Sequence, residues 1–414
     1  MEHSKQIAYN TIGNIVTLFF QWLIIMLIPK ITNFTEAGIF TIAISICSIL
    51  NHFSTFSLKE HHIADQHTYF TDSDYSIVRG ITIIISFILI IPISLLFHYD
   101  IIQISVIVGY MIYRNFLHFA YIYSASLQIS NHLEYVGKCT ALEGILSFIS
   151  FMCIYPTTHS LPLAVFGMAI IGGGIFLISQ LIGYKKFVPL EIRKKNLNPK
   201  KVRQLLIIGL PLLCSILAPT IITAMPKLIL QQIDGETIAG IFGTLSTPTI
   251  IIPTLAISIF APFITDFSDL ARNNNIKKLR QNYLKICAGL LSLGILCVLA
   301  SLCIQNYIFD LLYGAEIAPY SYLFAYLVLG ITVYSIGTVG TTVLITKNQG
   351  IAAAISSGIA LLFSVISSYT LISNSGIQGA TLSLVLAYIV FGILISLCVY
   401  ILPISNKAMM NETD

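Results

Sequence analysis

Residues 80–98 read GITIIISFILIIPISLLFH, nineteen positions with no Asp, Glu, Lys or Arg among them. A run of this length without charge is long enough to cross the hydrocarbon core of a bilayer as one helix. Charges crowd in just outside it, with Asp72, Asp74 and Arg79 before and Asp100 after. The same alternation of long apolar runs and short charged stretches continues in both directions. Over all 414 residues, 56% are apolar and 10% charged, and the mean hydropathy is +0.86. A soluble domain carries roughly 25% charged residues. The 22 basic and 18 acidic residues of this chain are too few for a polar skin. An ordinary cytosolic enzyme, a nucleic-acid binder and a disordered chain are thereby excluded.

The pattern predicts an all-α polytopic membrane protein with about twelve transmembrane helices of about 21 residues each. The expected spans are 9–29, 38–57, 80–98, 102–127, 139–156, 162–184, 204–230, 237–262, 284–305, 318–345, 351–372 and 376–402. The first run has no small-residue cleavage site behind it, so it is expected to be a retained helix rather than a signal peptide. The eight cysteines are scattered with no CxxC or Cys/His spacing. They are expected to be inert thiols; no metal site or other cofactor is expected.

Lys and Arg set the expected orientation. With the N-terminus inside, 19 of the 22 basic residues fall on inner segments and only Lys30 on an outer one; Arg114 and Lys227 lie within spans. Both termini are therefore expected in the cytoplasm. Residues 185–203 are the richest inner stretch, with Lys185, Lys186, Arg193, Lys194, Lys195, Lys200, Lys201 and Arg203 against a single Glu191. The expected organisation is an N-terminal six-helix lobe (1–184), a basic cytoplasmic linker (185–203) and a C-terminal six-helix lobe (204–414). The linker reads as an anchor touching anionic membrane lipid, or as a docking site for a partner.

The two halves repeat in order. Pro29-Lys30-Ile31 followed by Ala37-Gly38-Ile39-Phe40 answers Pro226-Lys227-Leu228 followed by Ala239-Gly240-Ile241-Phe242. Leu95-Leu96-Phe97 with Asp100 answers Leu311-Leu312-Tyr313 with Glu316. Six spans per repeat give both lobes the same orientation, a parallel repeat about an axis along the membrane normal. Two such lobes are expected around a central cavity.

Polar residues recur at helical spacing inside the spans and so share one face of each helix. Asn10, Asn14, Thr17 and Gln21 do so in the first span. Thr41, Ser45, Ser48 and His52 do so in the second, and Tyr110, Arg114, His118 and Tyr121 in the fourth. Thr220, Thr223 and Lys227 follow in the seventh. For Ser and Thr the alternative is helix packing with hydroxyls bonded back to the backbone. Matching spans of the two halves carry these stripes, as a shared cavity requires.

Arg114 stands out. A midplane Arg costs about 2.5–3.5 kcal/mol even on the lenient insertion scale. No Asp or Glu is expected at its depth, because Glu143 is placed barely one turn into the fifth span. Arg114 then faces water or an anionic ligand, or else bonds to backbone carbonyls and hydroxyls. His118 and His52 read as cavity groups or satisfied interior histidines. Lys30 and Lys227 read as cavity cations or as snorkelling side chains. The candidate substrate-contacting set is Arg114, Lys227, His118, Lys30, His52, Asn14 and Gln21.

These residues carry a resemblance. Asn10 to Gln21, the Pro29-Lys30 and Pro226-Lys227 endings, Gly38-Ile39-Phe40, Gly240-Ile241-Phe242 and Leu311-Leu312-Tyr313-Gly314 together resemble the multidrug/oligosaccharidyl-lipid/polysaccharide exporter superfamily. The branch they resemble is the bacterial polysaccharide repeat-unit (Wzx-type, O-antigen) flippases. The resemblance covers nearly the whole chain. It implies a V-shaped cavity, alternating access and no enzymatic activity. It also implies a substrate in which an oligosaccharide is carried on undecaprenyl pyrophosphate, for O-antigen, other lipopolysaccharide or capsule. The implied location is the bacterial inner membrane, and the implied partners include a polysaccharide polymerase and a chain-length regulator.

Two rivals remain. A cation-coupled multidrug exporter of the same superfamily would be expected to hold carboxylates in its span cores, and none is expected here. A membrane-embedded polysaccharide polymerase would be expected to present a large outer loop with catalytic Arg, and the expected outer loops are short and lack Arg.

Overall fold

The computed structural model describes residues 2–56, 58–65, 69–190, 199–250, 252–253, 267, 270–271, 273–347 and 349–404. Among these every regular element is helical. The expected linker 185–203 is described only in part: Lys185 and Lys186 end a helix, Lys200, Lys201 and Arg203 begin the next, and Arg193, Lys194 and Lys195 lie outside the described residues. Most of 251–262, the end of the eighth expected span, also lies outside them. The chain divides into two compact units, Met1–Leu213 and Cys214–Asp414.

Unit 1 contains α1 (Glu2–Ile31), α2 (Phe34–Thr55), the short α3 (Leu58–Asp65), α4 (Asp72–Leu96), α5 (Ile101–Ile129) and α6 (Leu133–Thr158). Then come α7 (Leu161–Met168) and α8 (Ile175–Phe187), joined through a π turn at Ala169–Gly174. Local chemistry sets the starts. Asn33 caps α2 by accepting the Glu36 N–H at 2.8 Å. Thr71 and Asp74 form a capping box on α4, and Asp100 and Gln103 form one on α5. In each box two orphan N–H groups are satisfied reciprocally.

These starts correct the expected boundaries. The Thr71 cap carries the third span back to Asp72, so Asp72, Asp74 and Arg79 belong to α4 and are buried. The fifth span begins at Leu133, so Glu143 is ten residues, about 15 Å, into a helix of 26 residues. The span was expected from 139; the charged residues just before it, Glu134 and Lys138, keep their side chains partly exposed and are paired at 3.6 Å, so the helix carries them in its first turns.

Packing is inverted relative to a soluble protein. On α4, Ile84, Ile88, Ile91 and Leu95 are exposed, whereas Asp74, Arg79, Thr82 and Ser86 are buried. Lipid is the solvent for the apolar face, and polar groups turn inward to find partners. α1 packs on α6 through glycines. A Cβ added at Gly137 would lie 2.6 Å from Asn10 Cα, and one at Gly144 would lie 2.6 Å from Thr17 Cα. Small residues let helix backbones approach closely in a membrane. Gly137→Val should therefore destabilise unit 1 by about 1–3 kcal/mol, the usual cost of overpacking. A melting curve of the purified variant checks it, with unchanged stability as the contrary result.

Unit 2 holds most of α9 (Pro199–Ser246), then α10 (Ile276–Tyr313), α11 (Leu323–Thr346) and α12 (Gly350–Ile401). Within α9 the one residue with non-helical φ/ψ is Gly235 (φ 86°, ψ 177°), while Pro211, Pro219 and Pro226 lie in the helical stretch before it. α12 is interrupted in the same way at Gly376 (φ 53°, ψ −129°). Positive φ is a conformation that glycine adopts without steric cost. On α12, Ile351, Ile355, Ile359, Leu362 and Ile366 are exposed while Ser356, Ser357, Ser364, Ser367 and Ser368 are buried, again apolar side out.

Nine helical segments among the described residues are long and apolar enough to cross a membrane. Two of these contain the breaks at Gly235 and Gly376. α5 has 29 residues, long enough to span, but is too polar to count among the nine. With those divisions and α5, the helices follow the order expected for the twelve spans. The chain is an all-α polytopic membrane protein.

Candidate functional site

α5 is the polar helix of unit 1, and its polar face is packed inward. Arg114 lies near its middle, about 20 Å from either end. The side chain is half-buried, and its Nε is shielded from solvent. Among the described residues no acceptor takes a hydrogen bond from its guanidinium. Three phenols, those of Tyr110, Tyr113 and Tyr121, lie within its electrostatic range.

The surroundings on one side are cationic or basic. His52 of α2 and His118 of α5 are both within electrostatic range of Arg114, and His118 also senses Arg79 and Lys59. His118 Nε2 pairs with Asn51 Oδ1 at 3.0 Å, while its Nδ1 is buried without a partner. The Lys59 ammonium sits 4.5 Å from the centre of the Tyr121 ring. Arg79 donates to Ser54 O at 2.6 Å, and Thr82 donates to the same carbonyl at 2.7 Å. Four helices, α2 to α5, thus bring basic side chains into one region of unit 1.

Next to this region is a carboxylate that the sequence reading placed elsewhere. Glu143 of α6 is 3% exposed. It accepts a hydrogen bond from the Tyr113 hydroxyl and another from Ser147 Oγ at 2.9 Å. Tyr113 in turn accepts from Gln21 Nε2 at 3.0 Å. Glu143 lies within electrostatic range of Arg114 without making an ion pair with it. A span core therefore does hold a carboxylate, as a cation-coupled exporter would be expected to, contrary to the expectation from the sequence.

A second buried carboxylate locks four helices together. Asp72 Oδ1 accepts from His62 Nε2 at 2.9 Å and from Ser126 Oγ at 2.7 Å, and Oδ2 accepts from Tyr184 Oη at 2.7 Å. The His62 ring stacks on Tyr75 with centroids 4.0 Å apart. This cluster joins α3, α4, α5 and α8.

The structure brings Arg114, His118 and His52 together and adds Gln21 through Tyr113. It leaves Asn14 exposed on α1 and Lys30 exposed in the last turn of that helix. Lys227 belongs to unit 2. It is half-buried and has no hydrogen-bond or ion-pair partner among the described residues. Its repeat mate Lys30 is one residue from a helix end, whereas α9 continues from Lys227 for seven more residues, about 10 Å, before Gly235. The two lysines therefore differ in how far they lie from the end of their own helical run. Glu143, Tyr113, Asn51, Lys59 and Arg79 are additions to the candidate site. The sequence signals for any of them were the i, i+4 pair Glu143 and Ser147 and the T-x-x-D box at Thr71 that carries Arg79 into α4.

No protein-family model matches the chain. Its sequence is similar to the capsular polysaccharide biosynthesis protein CapF of Staphylococcus aureus, with 24% identity over 93% of this chain and 96% of the relative. Its fold is similar to that of the lipid II flippase MurJ in an inward closed conformation, with TM-score 0.70, 15% identity and coverage of 96% of this chain and 88% of that one. It is also similar to an inward-facing multidrug resistance MATE family transporter of the MOP superfamily. There the TM-score is 0.68 and the identity 14%, over 98% of this chain and 96% of the other. Both kinds of likeness bear out the resemblance drawn from the sequence: this multi-pass membrane protein is similar in fold to the MOP superfamily transporters and aligns along nearly its whole length with a capsular polysaccharide biosynthesis protein.

Proposed function

We propose that the protein is a flippase and not an enzyme. Its substrate on this reading is an undecaprenyl-pyrophosphate-linked oligosaccharide, moved from the inner to the outer leaflet by alternating access for capsule assembly. The observation that carries the reading is the Arg114 guanidinium, which lies in mid-helix beside His52 and His118 and has no protein acceptor among the described residues. A pyrophosphate offers the charge and the acceptors that this group lacks, and Arg holds such groups through paired N–H donors. The alignment with a capsular polysaccharide biosynthesis protein supports the sugar part of the substrate. On this reading both termini are cytoplasmic, and a polysaccharide polymerase and a chain-length regulator act on the delivered unit. A substrate-contacting role for Lys227, a half-buried cation of unit 2, is part of the same proposal.

One observation favours a second reading, a cation-coupled exporter: Glu143 is a membrane carboxylate held by hydroxyl donors. One experiment separates the two. Loss of the protein should stop surface polysaccharide while lipid-linked repeat units accumulate on the inner leaflet. Intact polysaccharide together with raised drug sensitivity would give the exporter reading the case.

A further inference from the structure

Unit 2 has a groove of about 530 Å³ where α10 begins and α12 ends. Its polar side is formed by Lys277, Arg280 and Gln281, and its apolar side by Leu284, Tyr400 and Pro403 among others. Among the described residues no carboxylate lines it. The half-buried Arg280 has a solvent-shielded Nε without an acceptor among the described residues. Lys347 lies within electrostatic range of Arg280, its own ammonium held by Val399 O at 2.9 Å and by Leu402 O. Among the described residues the local field is therefore positive, with no carboxylate in the lining to neutralise it.

Helix length sets the depth of the groove. α10 has 38 residues, about 57 Å, against a hydrocarbon core of about 30 Å. Its first ten residues carry Lys277, Lys278, Arg280 and Lys285, and from Ile286 to Phe309 there is no charge at all. The charged turns therefore stand at headgroup level, while Leu284 and the end of α12 meet the upper acyl chains. A ligand for this place needs negative charge at one end and hydrocarbon at the other. Two separate cations, Lys277 and Arg280, match two phosphates better than one, and basic pockets between membrane helices are known to take such headgroups.

We propose that this groove binds an anionic phospholipid of the diphosphatidyl (cardiolipin) class, with its phosphates on Lys277 and Arg280 and its chains along Leu284 and Tyr400. The site lies within unit 2 and does not depend on what the protein transports. Native mass spectrometry of the detergent-purified full chain, with cardiolipin and phosphatidylethanolamine as competing probes, tests it. The expected result is at least a tenfold preference for cardiolipin, lost in the Lys277→Gln/Arg280→Gln double variant and kept within a few-fold in Lys277→Arg/Arg280→Lys. Lys278→Gln removes the same charge from the same helix turn outside the groove and should leave binding unchanged. Equal binding of the two lipids by the unmodified protein would overturn the proposal. So would wild-type binding by the double glutamine variant, or an equal loss in Lys278→Gln, which would mean diffuse charge attraction. Preferential retention of a polyprenyl diphosphate over cardiolipin would also overturn it and give the groove to a different lipid.

Discussion

Arg114→Glu should abolish translocation of a lipid-linked oligosaccharide in proteoliposomes, Arg114→Ala should slow it by about 10- to 100-fold, and Arg114→Lys should fall between alanine and the unmodified protein. The scale follows from a charge-assisted hydrogen bond being worth about 1.5–3 kcal/mol, with about 1.4 kcal/mol equal to a factor of ten. Lysine keeps the charge but loses the planar fork that grips two phosphate oxygens at once. Glutamate adds repulsion where screening by salt is weak, and it would stand within range of Glu143 as well. Protein amounts must be matched, because a structural arginine would lower abundance in the same order. An alanine variant that folds normally and transports at the unmodified rate would remove Arg114 from the substrate site.

Asp72→Ala should be the most destabilising single change in unit 1, by about 3–5 kcal/mol, the range seen when one partner of a buried charged cluster is removed. Asp72 is 5% exposed and takes three hydrogen bonds, from His62, Ser126 and Tyr184. Alanine deprives all three of this acceptor and unties α3, α4, α5 and α8 from one another. The apparent melting temperature should fall by on the order of 10 °C for a chain of this size. Asp72→Asn keeps one acceptor oxygen and should lose less. Equal melting temperatures for the alanine variant and the unmodified protein would show that the cluster is not a fastening.

The helices were readable because lipid imposes one rule on all of them: a run without charge must be long enough to cross. Arg114 was readable for the same reason, since a charge inside such a run is rare. Glu143 was misplaced because hydropathy locates the end of the apolar run rather than the start of the helix, and α6 begins six residues earlier than the run. Asp72 and Arg79 read as loop residues on the same logic, although the Thr71 capping box was present in the sequence as a T-x-x-D pattern. The link from Gln21 through Tyr113 to Glu143 crosses three helices. Periodicity shows which residues share a face, but not which faces meet. The repeated Pro-Lys motif matched Lys30 with Lys227 in order but not in distance from the helix end, because α1 stops one residue after its lysine while α9 runs on for seven more before Gly235.

The glycine contact between α1 and α6 has a mechanical consequence. Where two helices touch through side chains, rotamer changes let one slide on the other as domains rearrange. Gly13, Gly137 and Gly144 remove that layer, so that at these points backbone bears on backbone. A seam of this kind has no lubricant. α1 and α6 form a single stiff beam, and any rocking within unit 1 has to be taken up at seams that still have side chains to rearrange, such as the one between α2 and α5 where Cys47 meets Ile107.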